Sequence, residues 1–123
     1  LNNRVIIAGF HTNPYPWIKH ARLLVVTSRY EGFGNVLVEA MSNGTPCVST
    51  EVGDAKFIIN GNGWVVKSES SKELALAILD AYNLFHDNND NWEKLRESAK
   101  KSVFSRFSID KMVGKYNDIW NDR

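Results

Sequence analysis

The stretch SRYEGFGNVLVEAMSNGTPCVST, Ser28 to Thr50, decides how the chain is read. It sets two glutamates, Glu31 and Glu39, on either side of a glycine-rich turn, Gly32 to Asn35, that opens a helix. From Gly34 to Asn43 the apolar residues Val36, Leu37, Ala40 and Met41 fall on one helical stripe, and NGTP ends the helix with a glycine and a proline. Immediately behind it, PCVST (Pro46 to Thr50) is a short apolar run of strand character, and LLVVTS (Leu23 to Ser28) is another in front. Strand, helix and strand in that order predict a βαβ unit, hence parallel strands joined by a right-handed crossover.

Working outward, RVIIAG (Arg4 to Gly9) is a β-branched run closed by glycine, and GWVV (Gly63 to Val66) is a fourth strand candidate. NPYPWIKHA fits a loop and a short helix whose entrance is restricted by Pro14 and Pro16. After KSESS the pattern turns helical. Ser70 or Ser71 can cap, Glu73 lies near the first turn, and Leu74, Ala77, Ile78, Ala81, Tyr82 and Phe85 recur at three- and four-residue steps. Past the polar break HDNNDN, Trp92, Leu95, Ala99 and Val103 mark a second amphipathic helix, and Ile109 to Trp120, entered at Ser108, a third. The expected fold class is α/β: a Rossmann-like parallel sheet with flanking helices.

The 123 residues suffice for one domain with a core that needs no disulfide or metal. With 43% hydrophobic and 24% charged residues and a net charge of +1, no basic stripe points to nucleic acid and no polar excess to disorder. The one cysteine, Cys47, reads as a buried, reduced, small hydrophobe. The longest apolar runs are far shorter than the ~20 residues of a membrane helix, and no signal-peptide pattern opens the chain. A cytoplasmic protein is expected. The opening LNN, without an initiator methionine, predicts a chain that begins inside something larger.

These motifs together resemble the C-terminal half-domain of GT-B fold glycosyltransferases, in the large retaining family called family 4 or glycosyl transferases group 1. The resemblance rests on Ala8-Gly9-Phe10, on Ser28 to Gly34, and on Glu39 standing eight positions after Glu31. It extends through EAMSNGTPCVST (Glu39 to Thr50), VGDAKFIINGNGWVV (Val52 to Val66) and RFSIDKMVGKY (Arg106 to Tyr116), essentially the whole chain. It implies that residues 1–123 are a partial C-terminal, nucleotide-sugar (donor) binding domain. The N-terminal acceptor domain and the basic diphosphate site of the family are not in this sequence.

The resemblance also assigns roles. Glu31 corresponds to the family's first glutamate, near the reacting centre, where it would position the sugar or stabilise positive charge at the anomeric carbon; the alternative is a turn residue paired with Arg29. Glu39 corresponds to the second, which would accept from two ribose hydroxyls; without the resemblance it reads as a solvated helix carboxylate. Gly32, Phe33, Gly34 and Asn35 form the turn, and Gly34, Asn35 and Val36 would offer backbone N–H groups to the donor, Asn35 alternatively being a first-turn or capping residue. Gly9, Phe10 and His11, at the C-terminal end of the first expected strand, would meet the base. Ser28 and Arg29 would approach the base or diphosphate, and Gly53 and Asp54 the acceptor side.

No His, Cys or carboxylate spacing makes a metal site, so neither metal nor cofactor is expected beyond the donor itself. The expected function is that of a hexosyltransferase: transfer from a UDP- or GDP-sugar to a saccharide or glycolipid acceptor in cell-surface polysaccharide or lipopolysaccharide synthesis. The full-length protein would work at the inner face of the membrane, and this chain alone would be inactive. The rival readings are a non-catalytic nucleotide-binding or protein-interaction module of the same fold, and a sugar epimerase or phosphorylase relative.

Overall fold

Parallel strands cannot be joined by tight turns, and the helical stretches between the apolar runs supply the crossovers. The computed structural model describes residues 4–111 and 114. In chain order the elements are α1 (Tyr15–His20), β1 (Leu24–Val26), α2 (Asn35–Ser42), β2 (Cys47–Thr50), α3 (Ala55–Ile59), β3 (Gly63–Val66), α4 (Ser71–Asp87) and α5 (Asn89–Phe107). The three strands form one parallel sheet in the order β1-β2-β3, with Leu24 opposite Cys47 and Cys47 opposite Gly63. The α/β class and the parallel sheet are as the sequence predicts.

Every residue of the central strand β2 is buried. One face of the sheet carries the main core, where Leu37, Ala40 and Met41 of α2 and Ile58 and Ile59 of α3 meet Cys47, Ala99 and Val103. The other face is covered by α4, which packs on β2 and β3 and buries Ala77 and Ala81. The polar side chains on and beside the central strand are satisfied. Thr45 Oγ1 donates to Ile18 O at 3.0 Å, Ser49 Oγ to Thr50 O at 3.0 Å and Thr50 Oγ1 to Ser28 O at 2.6 Å.

Helix ends follow local chemistry. α2 closes in a Schellman motif, with Gly44 left-handed (φ 71°), its N–H donated to Met41 O and the Thr45 N–H to Ala40 O. Ser70 caps α4 by accepting from the Glu73 N–H at 3.3 Å, while the Glu73 carboxylate accepts from the Lys67 N–H at 3.0 Å. Asn88 caps α5. α3, too short for a periodic signature, is an element the sequence does not announce. Its C-terminal end is closed from a distance, because the Arg106 guanidinium donates to Phe57 O and Ile58 O at 2.6 Å each and lies over the Phe57 and Phe107 rings.

One predicted element is corrected. Arg4 to Gly9 forms no strand, and Val5, Ile6 and Ile7 are 62%, 80% and 95% exposed. β-branched composition reports fitness for a pleated, half-buried surface, not a partner, and β1, β2 and β3 pair only with one another. Smaller differences concern boundaries: β1 is shorter than Leu23 to Ser28, and α2 starts after Gly34. Of the third expected helix, Ile109 to Lys111 and Gly114 are helical, and Met112, Val113 and Lys115 to Trp120 lie outside the described residues.

The turn after β1 is held by the turn after β2. The Asp54 N–H donates to Gly32 O at 3.2 Å, and a Cβ on Gly53 (φ 50°) would overlap the carbonyl oxygens of Gly32 and Glu31. Gly53 therefore combines a left-handed backbone with a backbone approach that leaves no room for a side chain. Gly53→Ala is expected to cost about 3 kcal/mol of stability, read from urea unfolding. Arg106→Ala should cost about 2 kcal/mol in the same measurement, with Arg106→Lys recovering less than half because an ammonium cannot fork to two carbonyls. Burial pushes the Cys47 thiol up to about 12. A raised thiol pKa leaves almost no thiolate at about pH 8, so the folded chain should resist a thiol reagent that the urea-unfolded chain consumes at once.

Candidate functional site

The C-terminal ends of parallel strands and the adjoining helix N-terminus are the usual ligand edge of an α/β sheet. Here that edge consists of the segment from Thr27 to Gly34, the N-terminal turn of α2 and the turn from Glu51 to Asp54. Gly34 is left-handed (φ 74°, ψ 50°) and buried, and an added Cβ would stand 3.4 Å from Leu37 Cδ1 and 3.6 Å from Ile58 Cδ1. This backbone turns the chain abruptly into α2. Among the described residues no side chain caps that helix, and its first described bond is from the Leu37 N–H to Gly34 O at 3.0 Å. The N–H groups of Asn35 and Val36 therefore face the edge without a described partner.

Glu31 and Glu39 are both exposed, and neither joins an ion pair among the described residues. The pairing of Glu31 with Arg29 that the sequence left open does not form. Arg29 Nε instead stands 3.6 Å from Glu69 Oε1, an exposed and weak contact. Glu31 Cγ lies against the Cα side of Gly34, so the acid sits directly at the turn. Glu39 is in the second turn of α2, on the face opposite the buried Leu37, Ala40 and Met41.

Two concavities flank the turn. One, of about 220 Å³, is lined by Thr27, Ser28, Arg29, Thr50, Glu69, Ser70, Ser71 and Leu74. It brings the predicted pair Ser28 and Arg29 to the start of α4 and adds Thr27, Thr50, Ser70 and Ser71, of which the sequence reading had only Ser70 and Ser71, and those as helix caps. The signal available for them was that Thr27 and Thr50 follow two strand runs and that Ser70 and Ser71 open a helix. The second, of about 660 Å³, is lined by Phe33, Asn35, Val38, Phe57, Ser105, Arg106, Phe107 and Lys111. In it Phe33 and Phe107 meet edge to face with centroids 5.5 Å apart.

The structure thus gathers Ser28, Arg29, Glu31, Gly32, Phe33, Gly34, Asn35, Val36 and Glu39 around one strand edge and one helix start. It does not bring Gly9, Phe10 and His11 to them. Those residues are exposed, and the described neighbour of His11 is Trp17 of α1, with ring centroids 5.3 Å apart. Gly53 and Asp54, expected on the acceptor side, brace the turn through its backbone. Among the described residues no three His, Cys, Asp or Glu side chains converge as metal ligands.

The sequence profile of the family described as "Glycosyl transferases group 1" matches residues 1–83. N-acetyl-alpha-D-glucosaminyl L-malate synthase of Bacillus anthracis is 30% identical over 122 residues, covering 99% of this chain and 32% of that protein. Poly(ribitol-phosphate) alpha-N-acetylglucosaminyltransferase of Staphylococcus aureus is 27% identical over 124 residues, 98% of this chain and 24% of that protein. A crystal structure of a glycosyltransferase from Rickettsia africae superposes with a TM-score of 0.85 at 24% identity, covering 98% of this chain and 32% of that one. This chain spans 24% to 32% of the length of these relatives. It belongs to the group 1 glycosyl transferases.

Proposed function

We propose that this chain is the donor-binding, C-terminal part of a retaining glycosyltransferase. The enzyme moves a sugar from a nucleotide-sugar to a saccharide or glycolipid acceptor in the building of cell-surface polysaccharide or lipopolysaccharide. The observation that carries this reading is the left-handed Gly34 turn, which presents the uncapped start of α2 at the strand edge with one carboxylate before it and one after it. The N–H groups of Gly34, Asn35 and Val36 suit the anionic diphosphate, assisted by the helix dipole. Glu39 accepts from the two ribose hydroxyls, and Glu31 stands by the transferred sugar.

In the transfer, the bond from the anomeric carbon to the diphosphate oxygen breaks and the nucleoside diphosphate leaves with the electron pair. The acceptor hydroxyl attacks the same face, forms the new glycosidic bond and passes its proton to the leaving phosphate. Positive charge builds on the anomeric carbon as the old bond opens, and the Glu31 carboxylate stabilises it electrostatically. No metal is assigned to the reaction. Ser28 and Arg29, beside the hydroxyl-lined cavity, face the base or the diphosphate. Gly9, Phe10 and His11 meet the base on the strength of the family resemblance.

The rest of the donor site and the acceptor site come from the remainder of the polypeptide, which works in the cytoplasm at the inner face of the membrane. No helix among the described residues is long and apolar enough to cross a membrane. Two of the relatives are named for N-acetylglucosaminyl products, one on poly(ribitol-phosphate) and one on L-malate, which supports a glycosyl transfer by the full-length enzyme.

Calorimetric titration of the chain with UDP, GDP and their sugars is expected to give weak, saturable binding. Glu39→Ala should weaken it about 10- to 100-fold, the loss of one or two charge-assisted bonds. Equal affinity of wild type and variant would remove the ribose assignment. In the full-length enzyme Glu31→Gln is expected to lower kcat by about 100-fold while the donor Kd changes little, measured by transfer assay and titration side by side. A full-length protein that binds nucleotide-sugar and transfers nothing to any acceptor would favour the non-catalytic module.

A further inference from the structure

At the opposite end of the sheet, where β1 and β2 begin, a polar cavity of about 260 Å³ is lined by Lys19, His20, Ala21, Arg22, Trp92 and Arg96. We infer that this cavity is a second ligand site, one that holds a phosphate group. Its lining contains three cations, a histidine and no carboxylate, in a chain whose 15 basic and 14 acidic residues nearly cancel. Such segregation creates a local positive field that the overall charge hides.

The cations are placed by three different elements and are largely free to bind. Lys19 and His20 come from the last turn of α1, Arg22 from the link to β1 and Arg96 from α5. The end of α1 does not depend on those charges, since the Ala21 N–H already bonds to Trp17 O and Ile18 O. Among the described residues Lys19 and Arg22 form no ion pair. The Arg22 guanidinium carbon lies 4.8 Å from the Phe85 ring centroid, a cation–π contact that uses none of its N–H groups, and no hydrogen bond from Arg22 is described.

Arg96 is anchored without being saturated. Its Nε donates to Gly44 O at 2.9 Å and its Nη1 to both oxygens of Glu93 at 3.1 Å, while Nη2 has no described acceptor. Glu93 is the one described acidic partner, so Lys19, Arg22 and Arg96 together exceed it by two positive charges. The Arg22 guanidinium, the remaining Nη2 of Arg96 and the Lys19 ammonium supply N–H donors around a polar hollow, suited to the tetrahedral oxygens of a phosphate. Trp92, 2% exposed, closes the floor. None of these groups belongs to the turn that carries the donor site, so nucleotide binding at Gly34 to Glu39 can fail without touching this inference.

The test is an amide NMR titration of the 123-residue chain with inorganic phosphate at constant ionic strength. Saturable shifts are expected at Lys19 to Arg22 and Trp92 to Arg96, and Lys19→Gln with Arg22→Gln should weaken them about tenfold or more. Lys72→Gln with Lys100→Gln removes the same charge elsewhere and should leave the affinity unchanged. Shifts that do not saturate, or equal weakening by both pairs, would overturn the inference. Sedimentation with phosphatidylcholine vesicles containing phosphatidylglycerol then identifies the source. Phosphate-competed binding that the Lys19 and Arg22 variant loses assigns the group to a lipid headgroup. Intact phosphate binding without sedimentation assigns it to a soluble phosphorylated ligand.

Discussion

The rest of the fold depends on burying four residues on both sides. Cys47 to Thr50 form a strand that is inaccessible on both faces and paired along both edges. A parallel strand so enclosed cannot be reached by hairpins, so the chain must leave it and return through helices on its two faces. α2 and α3 therefore lie on one face and α4 on the other. The burial of Val48 at about 25 cal/mol per Å² of apolar surface, and of Cys47 likewise, is gained only when all of these layers are present. The same enclosure keeps the Cys47 thiol protonated and inert.

From that strand the site follows by geometry. Crossovers in one hand put the turn that leads into α2 and the turn after β2 at the same end of the sheet, where a backbone hydrogen bond from Asp54 to Gly32 joins them. Gly53 makes the contact possible by having no side chain, and Gly34 makes the turn possible by tolerating a left-handed backbone. Glycines in this region serve placement, and the carboxylates serve chemistry. The opposite end of the sheet, where α1, the link to β1 and α5 converge, gathers positive charge instead. One small domain thus has two ends of different electrostatic character, although its net charge is only +1.

Much of this was legible in sequence because it is local. The stripe of Val36, Leu37, Ala40 and Met41, the Asn-Gly-Thr-Pro stop, the Ser70 cap with Glu73 and the break before Trp92 are all set within one or two helical turns. The clustering of Glu31, the glycine turn and Glu39 at one helix start follows from the same short stretch, and the family resemblance rests on it. The strand expected at Arg4 to Gly9 was not legible in the same way, because a strand exists only with a neighbour.

By itself the sequence determined the α/β class, the order of the helices that cap and end on their own signals, and the identity of the residues at the turn. It could do so because propensity, periodicity and capping act over distances of a few residues. Only the tertiary structure decided that Arg29 turns to Glu69 and away from Glu31, that Arg106 closes α3 from 48 and 49 residues away, and that Gly53 rests on the Gly32 carbonyl. It also decided which basic residues meet around Trp92. These depend on contacts between segments distant in the chain, fixed by packing around β2, and no local pattern encodes them.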